Sequence, residues 1–507
     1  MRELMGRKLV SSRHLFEVPA DLTYFTHGED RLVVNPEAGA RCLLGPREFR
    51  VLQALAGVEQ DGEPLPIEDT EENERALAKL ILSWVVYYNG HRATIGFSEP
   101  ELFYAYYAIT DGCNLRCPYC YASSEKCLPG ELDTAESMRL VEQLAELGTN
   151  TVVFTGGEPM LRKDLFRIVE HAKSCGLNCN IITNATMIRT QAQARRFAEL
   201  FYNVVVSVDG ATAESHDRTR GKGSFAKTHK ALKLLNAEGV RPNINHIVTS
   251  DNVEELEDFA VFMEDLDVQS IRLMNHDQLG RGVSDEYDFG WRDHLRVQKI
   301  VWTSPVTGKI QADGPRPLSP CSVKANCGMG GNEIYINSLG DVYPCKLVTD
   351  QTAYAGNVRE RPLREIFEGP VLRGMRMSTV SFAGEYHADC SRCYIKASCG
   401  GGCRATHMSD SGSLKRNSRT QCRILRHGVT SQLWLEAGYT RAQLAEAHLE
   451  MTVPRMVATG EVHAVHDDWQ TYVPNPPAPA APSRAEVGKL LPLTPVRRST
   501  QGVPAGQ

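Results

Sequence analysis

Between Tyr104 and Met274 six short apolar runs, "YAYYAIT", "TVVFTGG", "NCNIITN", "NVVVSVDG", "NINHIVT" and "QSIRLM", alternate with helical stretches such as "TAESMRLVEQLAEL" and "FAKTHKALKLLNAEG". Strands that alternate with helices are joined by crossovers and so run parallel. The expected closure is a partial or complete (β/α)6 barrel with its reacting groups at the C-terminal ends of the strands. Asp133 and Glu136 stand at capping-box spacing and mark one helix start.

The loop after the first of these strands, "GCNLRCPYC", carries Cys113, Cys117 and Cys120. A structural zinc site takes four ligands, whereas three thiolates leave a coordination position open. A four-iron cubane held by three thiolates likewise keeps one iron for a substrate or cofactor. A zinc knuckle completed by a distant cysteine is the alternative on spacing alone. The chain has 15 cysteines in 507 residues and no secretion signal, so metal or redox chemistry is a better expectation than disulfides.

"CNLRCPYC" resembles the CxxxCxxC signature of radical S-adenosylmethionine (SAM) enzymes, including the aromatic Tyr119 before the last cysteine. The resemblance implies a [4Fe–4S] cluster whose open iron is chelated by SAM. Its reduction would cleave SAM and give a 5′-deoxyadenosyl radical that abstracts hydrogen from an unactivated position. "TGGEP" is similar to the family's GGE element, which implies that Gly156, Gly157 and Glu158 bind the SAM amino group. Glycines there suit a close backbone approach. "SVDG" with "HDRTRG" resembles the fourth-strand region, which places Ser207 and Asp209 near the ribose and Arg220 near the SAM carboxylate. Asn184 of "ITNAT" ends the third strand and is expected to face the same site.

A second group of cysteines comprises Cys321, Cys327, Cys345, Cys390, Cys393, Cys399, Cys403 and Cys422. Eight thiolates make two sites of four, and a pair of zinc ribbons would use the same count. The spacing from Cys327 onward resembles the SPASM pattern of radical SAM proteins, which implies two auxiliary [4Fe–4S] clusters. By that resemblance Cys321, Cys327, Cys345 and Cys403 bind one cluster, and Cys390, Cys393, Cys399 and Cys422 the other. Cys42, Cys127, Cys175 and Cys179 are left over and read as packing residues.

The expected organisation is a recognition module over residues 1–95, a radical SAM core over 104–315 and a loop-rich SPASM domain over 316–425. A C-terminal helix and a disordered tail rich in proline and alanine from Pro474 complete it, over 426–507. In the first module "LTYFTH" and "RLVV" read as strands and "GPREFRVLQALAG" as a helix. Leu77, Leu80, Ile81, Trp84, Val85 and Tyr88 form a second helical stripe. Such a module would suit a winged-helix-like domain that holds a leader peptide as an added edge strand.

SPASM proteins characteristically modify peptides or proteins, so the resemblance implies a maturase acting on a ribosomally made precursor. It would form a thioether, C–C or C–O crosslink with the auxiliary clusters taking up electrons. A flavodoxin- or ferredoxin-type protein would supply the reducing electron. Epimerisation, cleavage, or modification of a partner enzyme subunit are the alternatives within the family, and a zinc-stabilised adaptor is the alternative outside it. Lys346 follows the cysteine of "YPC", where sulfatase-maturing members carry an aspartate base, so that activity is disfavoured. Tyr343 and Lys346 flank a cluster ligand and are candidates to face substrate. A net charge of −6 gives no footprint for nucleic acid, and no apolar run is long enough to span a membrane. The expected location is the cytoplasm.

Overall fold

The computed structural model describes residues 10–93, 99–276, 279–283, 289–304, 308–311, 323–380, 387–447 and 450–467. Cys321 and the tail from Pro474 lie outside the described residues.

Near the N-terminus three antiparallel strands, β1 (Thr23–His27), β2 (Asp30–Asn35) and β3 (Ala40–Leu44), form a meander. Helix α1 (Pro46–Leu55) follows with proline in its first turn, where no amide hydrogen is needed. A short hairpin, Glu59–Gln60 against Glu63–Pro64, precedes α2 (Glu71–Leu82), which Thr70 caps by accepting from the Asn73 amide. The helical stripe expected to reach Tyr88 stops earlier. Trp84 turns the chain with φ of 57°, and Tyr87–Tyr88 pair as a strand with Phe16–Glu17.

All six expected core strands form: β4 (Tyr104–Thr110), β5 (Thr151–Gly156), β6 (Asn178–Thr183), β7 (Asn203–Ser207), β8 (Asn243–Val248) and β9 (Ser270–Asn275). They lie in chain order, all parallel, and a short β10 (Ile310–Gln311) adds beyond β9. Helices α3 (Thr134–Glu146), α4 (Leu165–Ser174), α5 (Gln191–Leu200), α6 (Ala213–Arg220), α7 (Ser224–Ala237), α8 (Leu256–Asp265) and α9 (Trp291–Thr303) cover one face. Val152, Phe154, Ile181, Val206, Ile244 and Ile271 point into that layer and build the main core. The expected capping box at α3 is present, with both hydrogen bonds at 2.8 Å.

The sheet continues into the cysteine-rich region. Strand β11 (Glu333–Ile336) pairs parallel to β4, and β12 (Asp341–Tyr343) and β13 (Gly356–Asn357) follow antiparallel. Among the described residues β10 and β13 take no further partner, so the barrel is partial and open. An 18-residue helix, α10 (Arg419–Glu436), crosses the boundary expected at 425. Its Val429, Leu433 and Trp434 share a core with Phe25, Leu32 and Val34 of the N-terminal sheet. Strand β14 (Arg455–Met456) then pairs with β1 and makes the order β14-β1-β2-β3. The N-terminal module is thus completed by the C-terminal part of the chain. No helix among the described residues is long and apolar enough to cross a membrane.

Candidate active site

The loop of Cys113, Cys117 and Cys120 leaves the C-terminal end of β4 and is tied down from three directions. Glu131 accepts from the Asp111 amide at 2.7 Å, the Leu128 amide at 3.0 Å and the Thr110 hydroxyl at 2.9 Å. Asn114 donates to the Thr186 hydroxyl at 2.8 Å and accepts from Asn184 Nδ2 at 3.0 Å, which binds the loop to the end of β6. Beyond β9, Arg281 donates to the carbonyls of Cys117 and Ser124, each at 3.1 Å, and its own amide donates to that of Cys120 at 3.0 Å.

Gly156 and Gly157 sit against this loop. A Cβ on Gly156 would lie 2.2 Å from the Thr110 carbonyl oxygen, and one on Gly157 would lie 2.1 Å from that of Gly112. The close approach these glycines permit is therefore to the loop backbone. Glu158 is fully buried and accepts from the Thr183 hydroxyl at 2.7 Å, the Asn184 amide at 2.8 Å and the Met160 amide at 3.1 Å. Burial raises its pKa against those bonds.

Asp209, just beyond β7, is buried and receives hydrogen bonds from the Tyr119 hydroxyl, Arg220 Nε and the Ile247 amide. Burial pushes its pKa upward, but Arg220 outweighs that and holds it at about 2. The Arg220 guanidinium also lies 5.7 Å from the centre of the Tyr119 ring. Ser207 ends β7 half-buried, opposite Asn245 in the ladder. The structure thus joins Tyr119, Asp209 and Arg220 into one buried unit beneath the cysteine loop.

The three loop thiols lie near enough to influence one another. Burial, together with the neighbouring charges of Glu158, Cys117 and Cys120, raises the Cys113 pKa to about 11, against an opposing hydrogen bond from the Leu115 amide. Of the second group, Cys403 lies close enough to both Cys327 and Cys345 to add to the effect of burial on each. Cys390, Cys393, Cys399 and Cys422 line a separate small cavity, and Cys399 feels the other three after burial. Among the described residues no single metal-ion position is surrounded by three or more His, Cys, Asp or Glu side chains. The fit therefore rests on which thiols are grouped: where burial raises the pKa, as at Cys113, Cys117, Cys390 and Cys399, a bound cation is needed to hold the thiolate.

A cavity of about 600 Å³ lies inside the partial barrel and is bounded by Cys327, Cys345 and Cys403. Lys346 lines it, with Nζ 4.6 Å from the centre of the Tyr106 ring. Tyr343 instead packs between Tyr335 and Tyr354, with ring centres 6.4 and 6.0 Å away. Asn114, Thr183, Arg272 and Arg281 were not singled out by the sequence. For Arg272 the alternation of "SIRLM" holds a signal, since it places Arg272 on the face opposite Ile271 and Leu273; nothing in the sequence marks the others.

A family model described as the radical SAM superfamily matches residues 107–265, and one described as an iron–sulfur cluster-binding domain, SPASM, matches residues 327–394. The AdoMet-dependent heme synthase of Methanosarcina barkeri is 29% identical over 60% of this chain and 91% of its own length. The mycofactocin maturase MftC of Mycobacterium ulcerans is 31% identical over 59% of this chain and 81% of its own. Among solved structures, Streptococcus suis SuiB bound to precursor peptide SuiA shares the fold. Its TM-score is 0.52 at 17% identity, and the match covers 81% of this chain and all of that one.

Proposed function

Because the chain belongs to the radical SAM superfamily and carries its SPASM iron–sulfur domain, we propose that it is a maturase acting on a ribosomally made precursor peptide. SAM and [4Fe–4S] clusters are its cofactors. When bound, they supply hydrogen-atom abstraction from an unactivated carbon.

The chain's own residues prepare that site. Cys113, Cys117 and Cys120 hold the SAM-binding cluster. A carboxylate offers about four acceptor positions, of which Glu158 has used three on protein donors, so one is left for the SAM ammonium group. Asp209 and Tyr119 fix Arg220 for the SAM carboxylate; the bond to Asp209 runs through Nε and does not use the outer nitrogens of the guanidinium. Cys327, Cys345 and Cys403, with Cys321, hold one auxiliary cluster, and Cys390, Cys393, Cys399 and Cys422 the other. Held by these residues, the auxiliary clusters would supply acceptor capacity for an oxidative crosslink. A flavodoxin- or ferredoxin-type donor returns the reducing electron, and the enzyme works in the cytoplasm.

The observation that carries the peptide reading is the N-terminal sheet. Strand β14 covers one of its edges, whereas β3 takes no further strand among the described residues. An extended leader adds there through main-chain hydrogen bonds. Similarity to MftC and the shared fold of peptide-bound SuiB support it. A second reading, a non-peptide substrate, is favoured by the similarity to the heme synthase.

Mass spectrometry of precursor peptides co-expressed with the enzyme tests the proposal. Loss of two hydrogens per modified site is the expected result. An unaltered mass, with no deuterium taken up from labelled solvent, overturns the peptide reading.

A further inference from the structure

The peptide group that joins Val208 to Asp209 is held from both sides by histidines. His246 of β8 places Nδ1 3.1 Å from the Val208 carbonyl oxygen, which can only accept, so that nitrogen carries the hydrogen. His216 of α6 places its own Nδ1 3.3 Å from the Asp209 amide, which can only donate, so that nitrogen is bare. One peptide group thus selects opposite tautomers in two neutral rings, and the two rings fix its plane. Backbone bonds extend the grip: the Val208 amide donates to the Asn245 carbonyl at 3.0 Å, and the Ile247 amide donates to Asp209 Oδ1 at 3.2 Å.

Short-range sequence brings both rings to this point. In "NINHIV" alternation puts His246 on the buried face with Ile244 and Val248, where its ring centre lies 4.1 Å from that of Phe259 in α8. The Thr212 hydroxyl caps α6 by accepting from the Ser215 amide, so the helix begins close behind Asp209 and its first turn returns His216 to the strand end. An apolar residue would fill either position at lower cost. Both rings are buried, and among the described residues Nε2 of each takes no hydrogen bond. Burial lowers both pKa values, that of His216 to about 4, so the bare nitrogen that the Asp209 amide requires is present at neutral pH.

The consequence falls on Asp209, whose carboxylate receives Arg220 Nε and the Tyr119 hydroxyl. Rotation of the preceding peptide group would swing its side chain away from both. We propose that His216 and His246 are positioning residues for SAM: they act through the Val208–Asp209 peptide to set Asp209, and through Asp209 to set the guanidinium of Arg220. The inference rests on the assignment of Arg220 to the SAM carboxylate and is independent of the peptide reading. It gives two buried histidines that the chemistry does not use a reason to be imidazoles.

The test is equilibrium SAM binding to holoenzyme reconstituted without oxygen, with no peptide present and with paired substitutions at each histidine. Phenylalanine keeps a ring and loses Nδ1, whereas asparagine loses the ring but presents Oδ1 or Nδ2 near the same place. His216→Phe and His246→Phe should each weaken SAM binding about tenfold, the effect of one buried hydrogen bond. Hydrogen exchange at the Asp209 amide should quicken in His216→Phe. His216→Asn and His246→Asn should bind SAM within about threefold of wild type, even where lost ring packing lowers the melting temperature. Iron content should be retained in all four. The reverse order, with phenylalanine tolerated and asparagine damaging, would mean that the rings only fill space and overturns the proposal. In an Arg220→Met background the phenylalanine effects should vanish; a tenfold loss that persists there overturns the route through Asp209 and Arg220. The two readings fail separately. Wild-type SAM affinity in Arg220→Met alone overturns the placement of Arg220 and what is built on it, whereas weakened binding there beside wild-type binding in both phenylalanine variants overturns only this inference.

Discussion

Glu158 accepts the hydroxyl of Thr183 at 2.7 Å, so the carboxylate that follows the second core strand is held by the end of the third. Two backbone amides complete its environment. Thr183→Val should remove a hydrogen bond to a buried charged group and cost about 2 kcal/mol. SAM affinity should fall with it, because the carboxylate is then freer to turn away. Thermal unfolding and equilibrium SAM binding check both effects, and Thr183→Ser should restore them. Wild-type behaviour in the valine variant would show that the hydroxyl does not position Glu158.

The glycine pair before Glu158 makes a sharper case. Gly157→Ala would drive a methyl group to 2.1 Å from the Gly112 carbonyl oxygen, and backbone rather than a movable side chain must yield. At Gly156 the clash with Thr110 is compounded by a φ of 130°. Either substitution should destabilise the chain by about 3 kcal/mol. Iron retained after reconstitution should fall, because the displaced backbone carries the cysteine loop. Iron analysis beside a thermal melt separates these effects, and full iron content at an unshifted melting temperature would contradict the packing argument.

Sequence reading worked where the signal was local. The six core strands follow from alternation, and the Asp133–Glu136 capping box is realised as spaced. Failures came where distant segments decide. The stripe through Trp84 and Tyr88 is helical in period, yet Tyr87–Tyr88 find a strand partner in Phe16–Glu17, far away in the chain. Pairing of Glu333 with Tyr104, which merges the cysteine-rich region into the core sheet, leaves no trace in either short segment. The grouping of Cys403 with Cys327 and Cys345 was likewise implied by resemblance alone. The alternating asparagines of β6 and β8 were legible as a polar interior face but are overshadowed by the apolar residues between them.

Acid should weaken the contact between the last core helix and α10. His294 Nε2 lies 3.2 Å from His427 Nδ1, and burial, with His427 as a smaller cause, lowers the His294 pKa to about 3. The folded-state value is below the unfolded one, so the unfolded chain takes up this proton first as pH falls. The stabilisation is complete above about pH 6.5 and is lost on the way to about 3, with a slope of up to about 1.4 kcal/mol per pH unit. Urea unfolding between pH 5 and 7.5 should show a shallower dependence in His294→Gln than in wild type. Identical slopes would place the titrating group elsewhere.

The two kinds of cysteine should fail differently. Cys117→Ala removes one of only three thiols on the loop proposed to hold the SAM-binding cluster and should abolish release of 5′-deoxyadenosine. Cys399→Ala removes one of four around the separate cavity. It should lose peptide product while still cleaving some SAM, because these four thiols are the ones proposed to hold the group that would accept the substrate's electron. Chromatography of 5′-deoxyadenosine beside peptide mass spectra reads both. Normal 5′-deoxyadenosine from Cys117→Ala would remove the loop from the chemistry.

Leader binding is best tested without deleting the N-terminal module. Phe25, Leu32 and Val34 form a core with Trp434 and Val429 of the helix that also carries Cys422. Truncation would therefore expose apolar surface beside a proposed auxiliary-cluster ligand and confuse loss of binding with loss of structure. Hydrogen exchange leaves the protein intact. If the leader adds as a strand to β3, outward-facing amides of Ala40–Leu44 gain partners and their exchange should slow when precursor is added. Amides of β1 already pair on both sides, with β2 and β14, and should change little. A precursor that binds without slowing exchange in Ala40–Leu44 would exclude strand addition at this edge.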